Sequence, residues 1–199
     1  VITIAPRFLI KNQFKHAIQV RQTSEPRPLA TVQPGEQKPI RCLGARDAMQ
    51  LRIAFDTQDG GQLAWSAPFN VNDIGRSNLR LTRQGRNGTK VYLARIETHM
   101  EGSSLFVYMR RETDPWPIKL RNSTELPFMF KQAQHPEDNT DASVFVERKL
   151  MPHETVEYTW DWPTSREKRL LLATGGIVLP RPIDVMAIGV QPPIKIPVS

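Results

Sequence analysis

Pro6-Arg7-Phe8-Leu9-Ile10-Lys11-Asn12, followed by Ile18-Gln19-Val20-Arg21-Gln22, returns past the middle of the chain. There it reads Pro115-Trp116-Pro117-Ile118-Lys119-Leu120-Arg121-Asn122, followed by Phe128-Met129-Phe130-Lys131-Gln132. Both copies place an aliphatic residue two before the Asn and a base one before it. Both place apolar residues six and eight after it, a base at nine and a Gln at ten. The offset is 110 at all seven positions, without a gap. A fixed offset over so many positions marks a duplicated structural unit.

The match continues in order. Val32-Gln33-Pro34-Gly35-Glu36 corresponds to Leu150-Met151-Pro152-His153-Glu154 at an offset of 118. The added residues fall around Pro136–Asp141, a polar, turn-forming stretch suited to a surface loop. Leu51-Arg52-Ile53-Ala54 corresponds to Leu170-Leu171-Leu172-Ala173 at 119, and Val71…Ile74-Gly75 to Val185…Ile188-Gly189 at 114. The sequence therefore predicts two tandem modules, 1–113 and 114–199. Pro115 and Pro117 interrupt any ladder at the boundary, and so short a linker implies modules packed side by side.

Within each copy the apolar period is two. Ile18/Val20, Leu51/Ile53/Phe55, Leu79/Leu81 and Phe128/Phe130 alternate with polar or small residues, and Val144–Val146 and Thr155–Trp162 are rich in β-branched and aromatic residues. Seventeen prolines keep the segments between them short. Such segments predict an all-β chain of antiparallel, sandwich-like modules. Asp59-Gly60-Gly61 and Arg86-Asn87-Gly88 read as hairpin tips, because Gly and Asn tolerate positive φ. Lys90–Glu97 is expected to pair with Leu79–Gln84, with Leu105–Arg110 alongside. The second copy has no counterpart to this hairpin. A strand from its neighbour, or residues beyond this stretch of chain, would complete it.

The chain has 199 residues, 39% hydrophobic and 24% charged, in the globular range. It opens Val-Ile-Thr-Ile and reads as a piece of a longer protein. Cys42 is the sole cysteine, so no internal disulfide forms, which suits a reducing compartment. No apolar run reaches the ~20 residues a membrane helix needs. Asn87-Gly88-Thr89 and Asn122-Ser123-Thr124 fit a glycosylation triplet that is common by chance.

Net charge is +7. The densest basic run is Arg76, Arg80, Arg83, Arg86, Lys90 and Arg95. A solvated face is its plain reading, and weak contact with an acidic membrane is the alternative. Nucleic acid is not expected, since these bases are not interleaved with aromatics. His16, His99, His135 and His153 stand apart, without metal-ligand spacing. No phosphate-cradling Gly-rich turn is visible. A non-catalytic chain without cofactor or metal is expected.

Asn12 and Asn122 are poor strand formers held at one repeat position. An Asn amide donates twice and accepts twice, so it can brace neighbouring backbone or touch a ligand; bracing is the favoured reading.

The duplicated pattern, an aliphatic-base-Asn run followed by Ile-x-Val-Arg-Gln, resembles the adaptor-binding domain of the vacuolar protein sorting protein thirteen family. The resemblance spans nearly the whole chain, as two modules. The closing Ile188-Gly189-Val190-Gln191-Pro192-Pro193 suggests the last two of that domain. Asn12 and Asn122 match its characteristic Asn. The resemblance implies a bridge-like lipid-transfer protein, cytoplasmic and peripheral at organelle membranes and contact sites. It implies capture of Pro-x-Pro peptides from membrane-bound, organelle-specific adaptors, with the second module favoured. Phe128, Phe130, Tyr158, Trp160 and Trp162 are candidates to pack against proline rings. Phe128 and Phe130 occupy positions held by Ile18 and Val20, which favours core, whereas Trp160 aligns with Cys42. The chain has three such triplets of its own: Pro26-Arg27-Pro28, Pro115-Trp116-Pro117 and Pro180-Arg181-Pro182. The last has apolar flanks and reads first as a turn before a strand at Val185–Val190.

Overall fold

The structure, a computed structural model, describes residues 6–41, 49–57, 63–85, 88–134 and 145–196. Cys42, His135, Val144, the Asp59–Gly61 and Arg86–Asn87 turn residues and the Pro136–Asp141 insertion lie outside them. The chain is all-β among the described residues and divides into two compact units, Val1–Pro115 and Trp116–Ser199.

Unit 1 contains β1 (Phe8–Asn12), β2 (Ile18–Gln22), β3 (Ala30–Val32), β4 (Gln37–Ile40), β5 (Gln50–Phe55), β6 (Phe69–Asn70), β7 (Gly75–Gly85), β8 (Gly88–Glu101) and β9 (Ser104–Arg111). A five-stranded sheet, β4-β1-β9-β8-β7, faces a four-stranded sheet, β3-β2-β5-β6. Their inner faces share one core. Ile10, Leu79, Leu81, Ile96, Val107 and Met109 come from the first sheet, and Ile18, Val20, Leu51, Ile53 and Phe55 from the second. Alternation produces this directly, since β1 and β2 both bury every second residue.

Unit 2 contains β10 (Ile118–Arg121), β11 (Phe128–Gln132), β12 (Arg148–Leu150), β13 (Thr155–Tyr158), β14 (Arg169–Thr174), β15 (Ile177–Val178) and β16 (Ile183–Asp184). The sheet β12-β11-β14-β15, with β16 also on β14, stands with a sheet that has two strands among the described residues, β10-β13. Phe130, Leu150, Tyr158 and Leu170 form its core.

The two units repeat one register. Phe8 pairs with Ile40, and Ile118 with Tyr158. Ile18 pairs with Val32, and Phe128 with Leu150. Gln22 pairs with Leu51, and Gln132 with Leu170. These are the partners that offsets of 110, 118 and 119 dictate.

The expected hairpin forms as β7 and β8, paired from Gly75–Thr98 to Gly85–Gly88, with β9 antiparallel beside β8. One pairing departs from the antiparallel expectation: β1 lies parallel to β9, Phe8 opposite Leu105 and Asn12 opposite Met109. One expected strand comes out shorter than its composition suggests, and the strand expected at Val185–Val190 does not form. Residues 159–162 leave the sheet after β13, and 185–190 form a turn after β16. There Asp184 Oδ1 accepts from the N–H groups of Met186 and Ala187, an Asx turn that replaces ladder bonds. Gly75 and Gly189, matched by the repeat, both take positive φ, 126° and 107°.

Candidate functional site

Asn12 is fully buried at the end of β1. Its Nδ2 donates to the carbonyls of His16 and Val32, both at 2.9 Å, and its Oδ1 accepts from Phe14 N–H at 2.9 Å. Asn122 repeats this at matched atoms. Nδ2 donates to Leu126 O at 2.7 Å, Met151 O at 2.9 Å and Leu150 O at 3.4 Å, and Oδ1 accepts from Thr124 N–H at 3.0 Å. Each amide thus ties the chain after its strand to the turn that follows β3 or β12. That turn is built alike in both units. Glu36 carboxylate accepts from Gln33 N–H, as Glu154 does from Met151 N–H. Gly35, and His153 at the same place, supply the positive φ.

The duplicated Gln is buried too. Gln132 Nε2 donates to Trp162 O at 3.2 Å and Glu167 O at 3.0 Å, while its Oε1 accepts from Trp162 N–H at 2.8 Å. It fixes the irregular segment after β13, where the tryptophans lie. Phe130 and Tyr158 are core residues in edge-to-face contact, 5.7 Å between centroids. Trp162 is buried and stacked on Phe145 at 6.0 Å. Trp160 is half-buried, edge-on to Tyr158 and under the ammonium of Lys168. Phe128 is buried at the wall of a concavity of about 450 Å³ shared with Leu172, Leu179 and Arg181. The chain's own Gly189, Gln191, Pro192, Ile194 and Ile196 line its remainder. Arg148 crosses the Phe130 and Tyr158 rings to reach buried Asp161.

The basic run does not form one patch. Alternation along β7 and β8 places Arg76, Arg80 and Arg95 on one face of the sheet and Arg83 and Lys90 on the other. Arg76 and Arg95 converge on Glu112, each with a 2.6 Å bond to Oε2, and both also reach Asp114. Burial pushes the Glu112 carboxyl up. Arg95, the N–H of Asp114, Arg76 and the N–H of Thr113 more than offset this and hold it at about 2. Arg83 meets His16 Nε2 at 3.1 Å. Burial, then the charges of Arg83 and Lys15, keep the His16 pKa below its usual value. Arg86 lies outside the described residues. Among the described residues no group of three or more His, Cys, Asp or Glu could hold a metal.

The feature that residue types alone do not reveal is the outer sheet of unit 2. In unit 1, β1 has β4 on one side and β9 on the other. Its counterpart β10 has β13 on one side, and among the described residues no strand pairs with its other edge. Consequently Ile118 and Leu120 are only half-buried, while Phe8 and Ile10, at matched positions, are buried. The sequence signal for this is the missing second copy of the β7–β8 hairpin.

A model of the vacuolar-sorting associated protein 13 adaptor binding domain matches residues 1–167. The intermembrane lipid transfer protein VPS13 of Chaetomium thermophilum is 29% identical over 178 residues, which cover 86% of this chain and 5% of that protein. The intermembrane lipid transfer protein vps13D of Dictyostelium discoideum is 21% identical over 165 residues, covering 81% of this chain and 3% of that protein. The chain thus spans only a few per cent of the length of these curated relatives. With the family model matching well over half of it, this chain belongs to the adaptor-binding domain family of vacuolar-sorting associated protein 13.

Proposed function

We propose that this chain is a non-catalytic peptide-capture region that brings a lipid-transfer protein to membrane contact sites. Its second unit holds Pro-x-Pro segments of membrane-bound, organelle-specific adaptors. The observation that carries this reading is the β10–β13 sheet, where among the described residues no strand pairs with the outer edge of β10, and Ile118 and Leu120 are half-buried. A proline-containing segment is already extended and loses little entropy on docking. Main-chain bonds then supply affinity and side-chain contacts supply selectivity. Trp160, half-buried, and Phe128, at the concavity wall, are the aromatic candidates nearest solvent. Phe130, Tyr158 and Trp162 support them from within. Asn12 and Asn122 act as braces, since their amide groups are already spent on backbone.

The test titrates the purified chain with a labelled peptide carrying one Pro-x-Pro, beside a control with both prolines changed to Ala. Anionic phosphatidylserine vesicles form a separate arm. Saturable peptide binding that is abolished in the control, with modest salt dependence, is expected. Vesicle binding that falls steeply with salt, without peptide binding, would overturn peptide capture and transfer the activity to the basic run. The pairing of Arg76 and Arg95 with Glu112 and Asp114 weighs against that outcome.

A further inference from the structure

We propose that unit 1 carries a binding site of its own, a cationic pocket at one end of its sandwich that takes an acidic peptide of a partner protein. One apolar side chain of the peptide enters the pocket, and carboxylates beside it meet the cations at the rim. The site is separate from the Pro-x-Pro reading, and neither depends on the other.

The registers place the pocket. Asn12 lies opposite Met109, Phe55 opposite Ile18 and Arg111 opposite Ala94, so β1, β5 and β9 all finish at the same end of the unit. Residues 13–16 after β1, Phe55, Tyr92 of β8 and residues 110–114 enclose a concavity of about 630 Å³ there.

Its floor is aromatic. Phe14 meets Phe55 edge-on at 5.3 Å, Phe55 meets Tyr92 at 5.1 Å, and His16 closes on Phe55 at 5.9 Å. Phe14 and Phe55 are buried, so the floor is held by the core and needs no ordering when a ligand arrives. Cations surround it. Arg111 stands opposite core Ala94 and so starts from the inner side of the sheet, where its guanidinium lies 5.6 Å from the centre of the half-buried Tyr92 ring. Arg83, two beyond core Leu81 on the same side, reaches His16 Nε2 at 3.1 Å. Lys15 is exposed at the rim. The acids nearby are answered in place, Glu112 and Asp114 by Arg76 and Arg95, and Glu97 by Arg110 at 3.0 Å. The balance at the rim is positive, over an apolar floor.

That combination selects the ligand. A bare phosphate or a lipid head group would use the cations and leave the aromatic floor in water. An apolar side chain alone would use the floor and leave the cations. A peptide with Phe flanked by Asp and Glu uses both. Burial of its ring supplies affinity, and a guanidinium can hold a carboxylate with two bonds. Arg111 is already set on Tyr92, so its planar fork is partly pre-organised. Gln13 and Thr113, exposed on the wall, offer amide and hydroxyl groups to the peptide backbone. The net charge of +7 speeds encounter with an acidic partner.

The test uses the intact chain and two capped peptides, Asp-Glu-Phe-Glu-Asp and Asp-Glu-Ala-Glu-Asp. Neither contains proline, so the result is independent of Pro-x-Pro capture. Saturable binding of the Phe peptide is expected, with amide NMR shifts centred on residues 13–16, Tyr92 and residues 110–114. The Ala peptide should bind about tenfold more weakly, because it leaves the floor unfilled. Lys15→Glu with Arg111→Glu should weaken the Phe peptide about tenfold or more. Lys131→Glu with Lys149→Glu makes the same change in net charge in unit 2 and should leave affinity within about twofold. All four side chains are exposed, so circular dichroism should be unchanged. If the first variant misfolds, the peptide pair and the NMR shifts decide alone. Equal binding of the two peptides, or equal loss in the two double variants, would overturn the pocket in favour of diffuse charge. Inorganic phosphate and phosphatidylserine vesicles form separate arms. Binding of either at these residues, without peptide binding, would replace the peptide by a phosphate ligand and overturn the proposal. Absence of saturable binding by every probe would sink the pocket and leave Pro-x-Pro capture untouched.

Discussion

Units 1 and 2 share a register but not a roof. In unit 1, β9, β8 and β7 extend the β4-β1 pair into a five-stranded sheet that shares one core with β2, β3 and β5. In unit 2 the corresponding pair, β10 and β13, is joined by no further strand among the described residues. The shared part carries the braces at Asn12 and Asn122 and the Gln at the end of β2 and β11. The difference is therefore not one of folding code. It lies in how many strands each unit adds, among the described residues, to the part that the two share.

The sharpest way to break this comparison is to delete matched core side chains. Ile10→Ala empties a site sealed by two sheets and should cost about 3–5 kcal/mol. Leu120→Ala removes a half-buried side chain from a strand of the two-stranded sheet and should cost about 1–2 kcal/mol. Hydrogen exchange read separately in the strands of each unit checks this. Equal losses would mean that unit 2 is as well capped as unit 1.

The next largest effect should be equal in the two units. Asn12→Ala and Asn122→Ala each leave buried carbonyls without a donor and should cost about 2–3 kcal/mol. The same exchange experiment applies. If Asn122→Ala left exchange unchanged and abolished peptide binding, Asn122 would be a ligand contact and not a brace.

How much of this was legible beforehand divides along the same line. The duplicated stretch carried the paired registers, because offsets of 110, 118 and 119 fix which residues lie opposite each other. Alternation carried the strands, and the β7–β9 meander followed from local turn residues. The parallel β1–β9 pair was not legible. It joins segments nearly a hundred residues apart, and nothing local encodes a long-range partner. Composition overstated Thr155–Trp162, since β-branched and aromatic content cannot show that Gln132 draws the Trp162 backbone out of the sheet. Among the aromatic candidates the repeat positions already favour core for Phe128 and Phe130, while only burial separates Tyr158 and Trp162 from Trp160. Glu112 gave no sign at all, because its cationic partners lie 17 and 36 positions away.

That cluster gives unit 1 a pH response. The folded Glu112 carboxyl is held at about 2, below its unfolded value of about 4.5. The stabilisation is present above pH 4.5 and is lost as pH falls through 2. Urea unfolding at stepped pH, followed on the amide signals of β8 and β9, should show that loss. Glu112→Gln should cost about 2 kcal/mol at neutral pH and flatten the curve in this window. An unaltered acid slope in the variant would show that other carboxylates carry it.

The smallest effect tests whether the repeated turn is equivalent in detail. Gly35 and His153 occupy one repeat position, with φ of 76° and 59°. A side chain there is strained by about 1–2 kcal/mol whatever space surrounds it. Nothing lies within 4 Å of a Cβ built on Gly35, so Gly35→Ala should cost about 1 kcal/mol from backbone conformation alone. His153→Gly should relieve the same strain. It also enlarges the unfolded ensemble, an opposing term of about 0.5–1 kcal/mol. It loses the 3.0 Å contact to Glu125 as well, where both side chains are largely exposed and the pair is worth little. The terms nearly cancel, so His153→Gly should shift stability by less than about 1 kcal/mol, in contrast to the clear loss for Gly35→Ala. Thermal melts of both variants decide it. A clear loss for His153→Gly would mean that the imidazole contributes to the unit 2 turn something that Gly35 does not contribute to its own.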